Sequence, residues 1–142
     1  MLQDVELLNH IHQNADMARD SLRHVLELSH SDRFSDAIRT QIDGYTKAYE
    51  TSDRMLAERG SVGKDARPMS KTMANVTGRM ESMMDPTDSR LAEMVIKGST
   101  MGITKLTKQL HDYQSEDQEV REFAENQIKR EQSNIERMKP FL

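Results

Sequence analysis

The sequence has 142 residues, enough for one domain that buries roughly 70% of the surface its unfolded chain exposes. Hydrophobic residues make up 35% and aromatic residues 4%, with no Trp and 11 Met, so aliphatic side chains, Ala and Met have to form the core. The net charge of -4 argues against nucleic-acid binding, and the lack of Cys excludes disulfides, thiol catalysis and thiolate-bound zinc. Because Gly (6) and Pro (3) are also few, we predict an all-α fold with a single domain spanning residues 1–142.

The N-terminus and the hydropathy predict where the protein resides. The first residues, MLQDVELLNHIHQ, lack the basic and apolar regions of a secretory leader. No apolar run approaches the ~18 residues of a transmembrane helix, and the absence of Cys is compatible with a reducing compartment. The sequence therefore predicts a cytoplasmic protein with no membrane span.

Two amphipathic helices joined by a short turn are predicted in the N-terminal half. Apolar residues recur at helical spacing over residues 4–29, and again over residues 34–56. Because only residues 30–32 separate the two patterns, the second helix has to turn back antiparallel to the first. Gly60 follows the second pattern and is well placed to end that helix.

Between residues 60 and 85 the pattern changes. The stretch GSVGKDARP is typical of a loop, and Pro68 can occupy the first turn of a short helix. We predict a short Met-rich helix here whose apolar edge serves in packing, with a Cu(I) site or an exposed surface for a partner helix as alternatives. That edge consists of Met69, Met73, Val76, Met80 and Met83 or Met84.

The third long helix carries the clearest heptad pattern, in AEMVIKGSTMGITKLTKQLHDY at residues 92–113. Asp85 and Pro86 are predicted to be its N-cap and first residue. Gly98 and Gly102 lie four residues apart, and each should cost a helix about 1 kcal/mol relative to Ala, so we expect a neighbouring backbone to pack closely against them. The face predicted to be buried contains Ile96, Ser99, Ile103, Leu106, Leu110 and Tyr113.

The fourth helix is predicted to begin at Ser115, which has capping-box spacing to Gln118, and to end at Pro140. Polar Gln127 and Glu131 interrupt its apolar face near the middle. The rest of that face contains Val120, Ala124, Ile128, Ile135 and Met138.

The length of the second connection predicts the topology. About 25 residues join helices two and three, which is enough to run along a bundle of helices roughly 35 to 40 Å long. We therefore predict a four-helix bundle with one long crossover, in which helices two and three run in the same direction. A Met-rich helix lying across the bundle is the alternative.

Three segments resemble an uncharacterised family of small bacterial proteins with a ferritin-like four-helix bundle. They are QNADM at residues 13–17, LAEMVIKGSTMGITKL at residues 91–106 and the C-terminal NIERMKPFL. The resemblance covers nearly the whole chain and is most specific in the second segment. It implies the crossover topology, but it brings no established activity and therefore no functional residue.

The ligand pattern of ferritin-like iron sites is largely missing. Such sites take one Glu from each of two helices and a Glu-x-x-His from each of the other two. This chain has one such pair, Glu27 and His30, at the end of helix one, and Glu122-x-x-Glu125 in helix four has no His. The sequence therefore predicts no metal, no cofactor and no enzymatic activity.

A buried polar layer is predicted near the middle of the bundle. If Glu131 lies in the core it needs a hydrogen-bond donor, for which a Tyr hydroxyl is the natural candidate. A layer that fixes helix register is the favoured interpretation and a ligand pocket is the alternative. The members of the layer are Tyr45, Tyr49, Ser99, Gln127 and Glu131.

The remaining polar patterns predict surface features. His10 and His12 are two residues apart, so a helix aims their rings in nearly opposite directions and they cannot chelate one ion. We expect His12 to pair with Asp16 one turn later. A solvated basic stripe is predicted for Lys97, Lys105 and Lys108.

Two hypotheses of function follow. The first is a non-enzymatic helical-bundle protein with an interaction or structural role, which self-associates as a homodimer and has a possible protein partner. The second is a ferritin-like relative that binds a metal or small ligand in the middle of the bundle through a changed ligand set. The carboxylates relevant to the second hypothesis are Glu93, Glu125 and Glu131.

Overall fold

The computed structural model describes residues 2–65 and 85–142. Within these ranges the chain forms four long α-helices and a final 3-10 turn and contains no β-strand, so the prediction of an all-α bundle is confirmed. The predicted Met-rich helix lies outside the described residues. The helices are α1 (Asp4–Leu28), α2 (Asp32–Glu58), α3 (Asp88–Asp112) and α4 (Gln118–Met138), and the 3-10 turn is Lys139–Phe141.

The helices pack as two antiparallel hairpins, α1 with α2 and α3 with α4. At one end of the bundle, the amides of His30 and Ser31 in the α1–α2 turn donate to Asp88 at the start of α3, at 2.8 and 3.1 Å. At the other end, Arg59 after α2 donates to Asp117 before α4 at 2.7 Å. Helices α2 and α3 therefore run in the same direction.

The end of α2 is closed by a glycine. Gly60 has a φ of 72°, a left-handed conformation that side chains disfavour, and the amides of Gly60 and Ser61 donate to the carbonyls of Ala57 and Leu56 at 3.0 and 2.9 Å. This pair of hydrogen bonds defines a Schellman motif and satisfies carbonyls that the helix would otherwise leave free. The prediction for Gly60 is confirmed.

The starts of α3 and α4 differ from their predicted positions by two or three residues. Thr87, and not Asp85, caps α3, because Asp85 has a φ of 52° while the capping residue adopts extended backbone. Asp117, and not Ser115, caps α4, since its carboxylate accepts hydrogen bonds from two amides of the first turn. The spacing of apolar residues predicts that both helices exist, but it does not determine which of several polar residues caps each helix.

The core consists of two apolar clusters, one towards each end of the bundle. The cluster nearer the α1–α2 turn is built around Phe34, Ile38, Leu91 and Met138. The other is built around Leu7, Leu8, Leu56 and Val120. Polar side chains therefore occupy the middle of the bundle, between the two clusters.

The buried face of α3 is rotated from its prediction. Ser99 and Leu106 are buried as expected, whereas Ile96, Ile103 and Leu110 are half-buried. A heptad pattern drifts around a straight helix, so the face at the start of α3 is not continuous with the one at its end. The buried residues of α3 are Leu91, Ala92, Val95, Ser99 and Leu106.

In α4 the polar residues do not merely interrupt the buried face. Gln127, Glu131 and Asn134 are buried, while Ile128 and Ile135, which were predicted to face inward, are half-buried. The middle of α4 therefore presents amides and a carboxylate to the other helices, and these groups have to find polar partners there.

Candidate functional site

A hydrogen-bonded group of side chains joins α2 to α4 in the middle of the bundle. Glu131 is 4% exposed and accepts a hydrogen bond from the hydroxyl of Tyr45, with 2.5 Å between the two oxygens. The side-chain amide of Asn134 donates to the same Tyr hydroxyl at 3.4 Å. Gln41 donates to the backbone carbonyl of Asn134 at 3.5 Å. These contacts fix the register of α2 against α4, because a shift of either helix would separate them.

Burial dominates the ionisation of both acidic groups in this layer. Burial raises the pKa of Glu131, and this effect exceeds the opposing effects of Tyr45, Ser99, Asn14 and the positive charge of Arg130. The pKa of Tyr45 is raised well above its ordinary value, first by burial and then by the negative charge of Glu131. Tyr45 therefore keeps its proton and serves as the donor.

Glu131 also lines a small cavity, and its second carboxylate oxygen has no hydrogen-bond partner within the described ranges. No group in the described part of the chain has hydrogen-bonding geometry with Oε2, although this atom is shielded from solvent. The adjacent cavity measures about 20 Å³, which is room for about one water molecule. Its polar lining includes Asn14, Gln127, His10, Lys105 and Gln109.

The glycines of α3 do not make the contacts that were predicted for them. A Cβ built on Gly102 would lie 3.5 Å from Cδ of Glu131, so Gly102 packs against a carboxylate and not against a backbone. A Cβ on Gly98 would meet no described atom within 4 Å. The closer approach is at Gly44 in α2, where a Cβ would lie 3.2 Å from Cδ of Arg130. Arg130 also donates a short hydrogen bond to the Gly44 carbonyl.

A second buried polar site surrounds His12, whose side chain is 1% exposed. Its Nδ1 lies 3.0 Å from the carbonyl oxygen of Lys64, and its Nε2 lies 2.9 Å from Oδ1 of Asp53. The contact with Asp53 is short but lacks hydrogen-bonding geometry. A Cβ at Gly63 would come within 2.5 Å of Asp53 and 2.7 Å of His12, so glycine allows the segment after α2 to approach this closely.

The predicted partner of His12 was wrong, and Tyr49 belongs to this second site and not to the mid-bundle layer. His12 contacts Asp53 across the hairpin, while Asp16 accepts a hydrogen bond from Arg19 at 3.4 Å. The Tyr49 ring stacks on His12 with a centroid distance of 4.0 Å.

The Tyr49 hydroxyl is directed towards the segment that follows α2. It donates to Asp65 at 2.5 Å, which raises the pKa of Tyr49 to about 12. Because Tyr49 lies one turn beyond Tyr45, its hydroxyl reaches this segment and not Glu131.

Of the predicted polar layer, the structure brings Tyr45, Ser99 and Glu131 together and places Gln127 beside the cavity. Sequence reasoning missed Asn14, Asn134 and Gln41. The spacing of Asn134 from Glu131, three residues along one helix, is the signal that could have identified it. No such spacing identifies Asn14. It lies at the edge of the apolar stripe of α1, and whether a residue there is buried depends on how the helices pack.

Metal ligands are not gathered anywhere in residues 2–65 and 85–142, where no group of three His, Asp or Glu side chains is arranged around a common point. His30 contacts Asp85 at 2.9 Å. Glu93 is exposed and pairs with Lys97 at 3.6 Å, and Glu125 is also exposed. Of the three carboxylates considered for a mid-bundle ligand set, Glu131 alone is buried.

No helix in the described ranges has the length and apolar character needed to cross a membrane. Comparisons of the chain with protein-family models, with curated proteins and with solved structures found no match.

Proposed function

We propose that this chain is a ferritin-like, non-enzymatic helical-bundle protein of the bacterial cytoplasm with an interaction or structural role. The parallel direction of α2 and α3 supports the ferritin-like topology, which requires one long crossover. The observation that carries the proposal is the pairing of Glu131 with Tyr45. Glu131 is the one buried carboxylate among the described residues, and its partners are hydroxyl and amide groups. Such a layer specifies helix register, whereas a di-iron site needs several facing carboxylates and imidazoles.

Elemental analysis of protein purified without a metal-affinity tag tests this function. We expect no iron, manganese, zinc or copper at a fixed fraction per chain after a chelator wash, and the same result for Glu131→Gln. Stoichiometric transition metal in the wild type that disappears in Glu131→Gln would refute the proposal, because it would make Glu131 a ligand.

Self-association as a homodimer is the second part of the proposal. On α3, Met101 is 59% exposed, and the neighbouring Gly98 has open space above its Cα among the described residues. Around a two-fold axis, Met101 of one copy can pack against Gly98 of a second copy, and the same contact then forms in the opposite direction. We propose this part of α3 as the dimer contact.

Light scattering on two matched variants tests the dimer contact. Met101→Lys should shift the protein to the monomer mass, since it places two positive charges at the two-fold contact. Val62→Lys is the control, because Val62 is also exposed, at 83%, but lies beyond the end of α2. A wild type with the monomer mass, or equal behaviour of both variants, would argue against this surface.

A second candidate function is the binding of a small ligand in the middle of the bundle. The specific observation in its favour is the unpaired Oε2 of Glu131 beside the cavity. Native proteins rarely leave a buried polar atom without a partner.

A further inference from the structure

We infer that the groove between the start of α2 and the end of α4 binds an acidic peptide segment of a partner protein. The bound peptide places an apolar side chain in the groove and carboxylates against the two arginines beside it. This inference rests on the proposed interaction role and names the surface and the chemistry of the partner. It does not involve the proposed dimer contact on α3.

The shape of the groove supplies the first argument. The groove measures about 480 Å³, within the range of about 300 to 1,000 Å³ that is typical of ligand sites. Its apolar lining consists of Ala37, Pro140 and Phe141. Ala37 and Phe141 are half-buried and pack against the core cluster around Phe34, so they form an apolar base that is still open to solvent. An apolar side chain that covers this base removes both surfaces from water.

Two arginines beside the apolar base supply the second argument. Arg33 on α2 and Arg137 on α4 line the groove from different helices, and both are exposed. The guanidinium of Arg33 lies 6.0 Å from the centroid of the Phe141 ring. Neither arginine forms an ion pair with any residue that the structure describes. Because a guanidinium presents parallel N–H donors that fit a carboxylate, the groove offers two carboxylate sites next to an apolar surface.

The charge of the lining supplies the third argument, which selects an acidic partner. Glu136 is the one carboxylate in the lining, and it pairs with Lys139 at 2.6 Å. The charges of Arg33 and Arg137 therefore have no carboxylate partner among the described residues, in a protein whose net charge is -4. The overall charge repels an acidic peptide, whereas these two arginines attract it, so complementary charge directs the peptide to the groove.

The test is a titration of the ¹⁵N-labelled full chain with capped hexapeptides, followed by NMR amide shifts and by calorimetry. The acidic apolar peptides have two Glu on each side of Leu-Phe, Leu-Tyr or Val-Trp. Matched peptides replace the four Glu by Lys, or the apolar pair by Ser-Ser. We expect an acidic apolar peptide to bind and to shift the amides of residues 33–40 and 133–141. Either replacement should weaken binding about tenfold or more.

Matched variants assign the binding to the groove. Arg33→Gln and Arg137→Gln should each lower the affinity about tenfold, because each removes a charge-assisted hydrogen bond. Arg39→Gln is the control, since this exposed arginine on α2 lies outside the lining and pairs with Asp36 at 3.0 Å. Its affinity for the peptide should equal that of the wild type.

Four outcomes would overturn the inference. They are equal affinity for the lysine peptides, binding by none of the acidic apolar peptides, unchanged affinity in both groove variants, and tighter binding of laurate than of every peptide. The last result would identify the occupant as a fatty acid.

These results are separable from the tests of the proposed function. A transition metal bound through Glu131 would refute the non-enzymatic role whatever the peptides do, and a missing peptide effect would refute only the groove site. Light scattering of Arg33→Gln should give the wild-type mass. A lower mass would show that a second copy occupies the groove, and it would overturn the inference.

Discussion

The bundle contains two buried polar sites, each built around one ionisable side chain, and they are completed differently. His12 has both ring nitrogens within 3.0 Å of an oxygen, one from a carboxylate on α2 and one from the segment after α2, although the contact of Nε2 with Asp53 lacks hydrogen-bonding geometry. Glu131 has one oxygen hydrogen-bonded to Tyr45 and no hydrogen-bond partner for the other among the described residues, and the residue lines a cavity. The first site attaches a connecting segment to a helical hairpin. The second fixes two hairpins in register beside a cavity of about 20 Å³.

The largest difference between the sites should appear when the central side chain is removed. His12→Ala deletes a fully buried ring that touches α2 and the segment after α2, so we expect a loss of about 3 kcal/mol in the free energy of unfolding. His24→Ala, on the same helix, should change stability by less than about 0.5 kcal/mol because 44% of its side chain is exposed. Urea unfolding of both variants measures this, and similar losses would contradict the central role of His12.

The hydroxyls of two tyrosines one turn apart should contribute unequally. Tyr45→Phe leaves a buried carboxylate oxygen of Glu131 without its donor, so we expect a loss of about 2 kcal/mol. Tyr49→Phe should cost about 0.5 kcal/mol, since the side chain of Asp65 is 61% exposed and water can replace the lost donor. Chemical denaturation gives both values, and equal costs would show that Glu131 is better solvated than its burial indicates.

The pH dependence should identify Glu131 as a group whose charged form is disfavoured in the folded state. Because burial raises its pKa above the ordinary 4.5, the folded protein binds this proton more tightly than the unfolded chain does. The resulting stabilisation is fully present below pH 4.5 and is lost as the pH rises through the folded-state pKa.

Glu131→Gln cannot ionise and is the matched variant for this test. The stability of the wild type relative to Glu131→Gln should therefore fall as the pH rises from 4.5. Unfolding curves recorded at several pH values measure this difference. A constant difference across the range would contradict the raised pKa.

The smallest expected effect distinguishes the two glycines of α3. In the monomeric chain, Gly98→Ala should stabilise the fold by about 1 kcal/mol, because the helix gains propensity and the new methyl group meets no described atom. Gly102→Ala should gain less, since its methyl group packs against Glu131 and fills the cavity. Thermal unfolding of the two variants compares them directly, and an equal gain would indicate that the space beside Glu131 has no energetic role.

Sequence reasoning identified the helices and part of the mid-bundle layer, for reasons that these residues illustrate. The apolar repeat of 3.6 residues is a local property, so it located all four helices. A carboxylate within an apolar stripe requires a donor, and this requirement predicts a tyrosine as the partner of Glu131. Asp53 as the partner of His12 could not be predicted, because it depends on how two helices are rotated about their axes.

The same limit explains the errors in helix faces and glycine contacts. A sequence pattern shows that a helix has a buried face, but a rotation of a few tens of degrees decides which residues lie at its centre. That rotation places Asn134 inside the bundle and leaves Ile135 half-buried. It also brings Gly102 against Glu131 and leaves Gly98 open to solvent within the described part of the chain.

The parallel direction of α2 and α3 has a consequence for assembly. Tyr45 with Glu131, His30 with Asp88 and Arg59 with Asp117 join the two hairpins at the middle and at both ends of the bundle. Every one of these contacts pairs a residue before position 61 with one after position 84, so the hairpins contact each other through their own backbone and side-chain groups. The covalent link between the hairpins then favours their association by raising the effective concentration of one hairpin near the other. Two separate chains that carry residues 1–65 and 85–142 should therefore associate, with a stability that rises with their concentration.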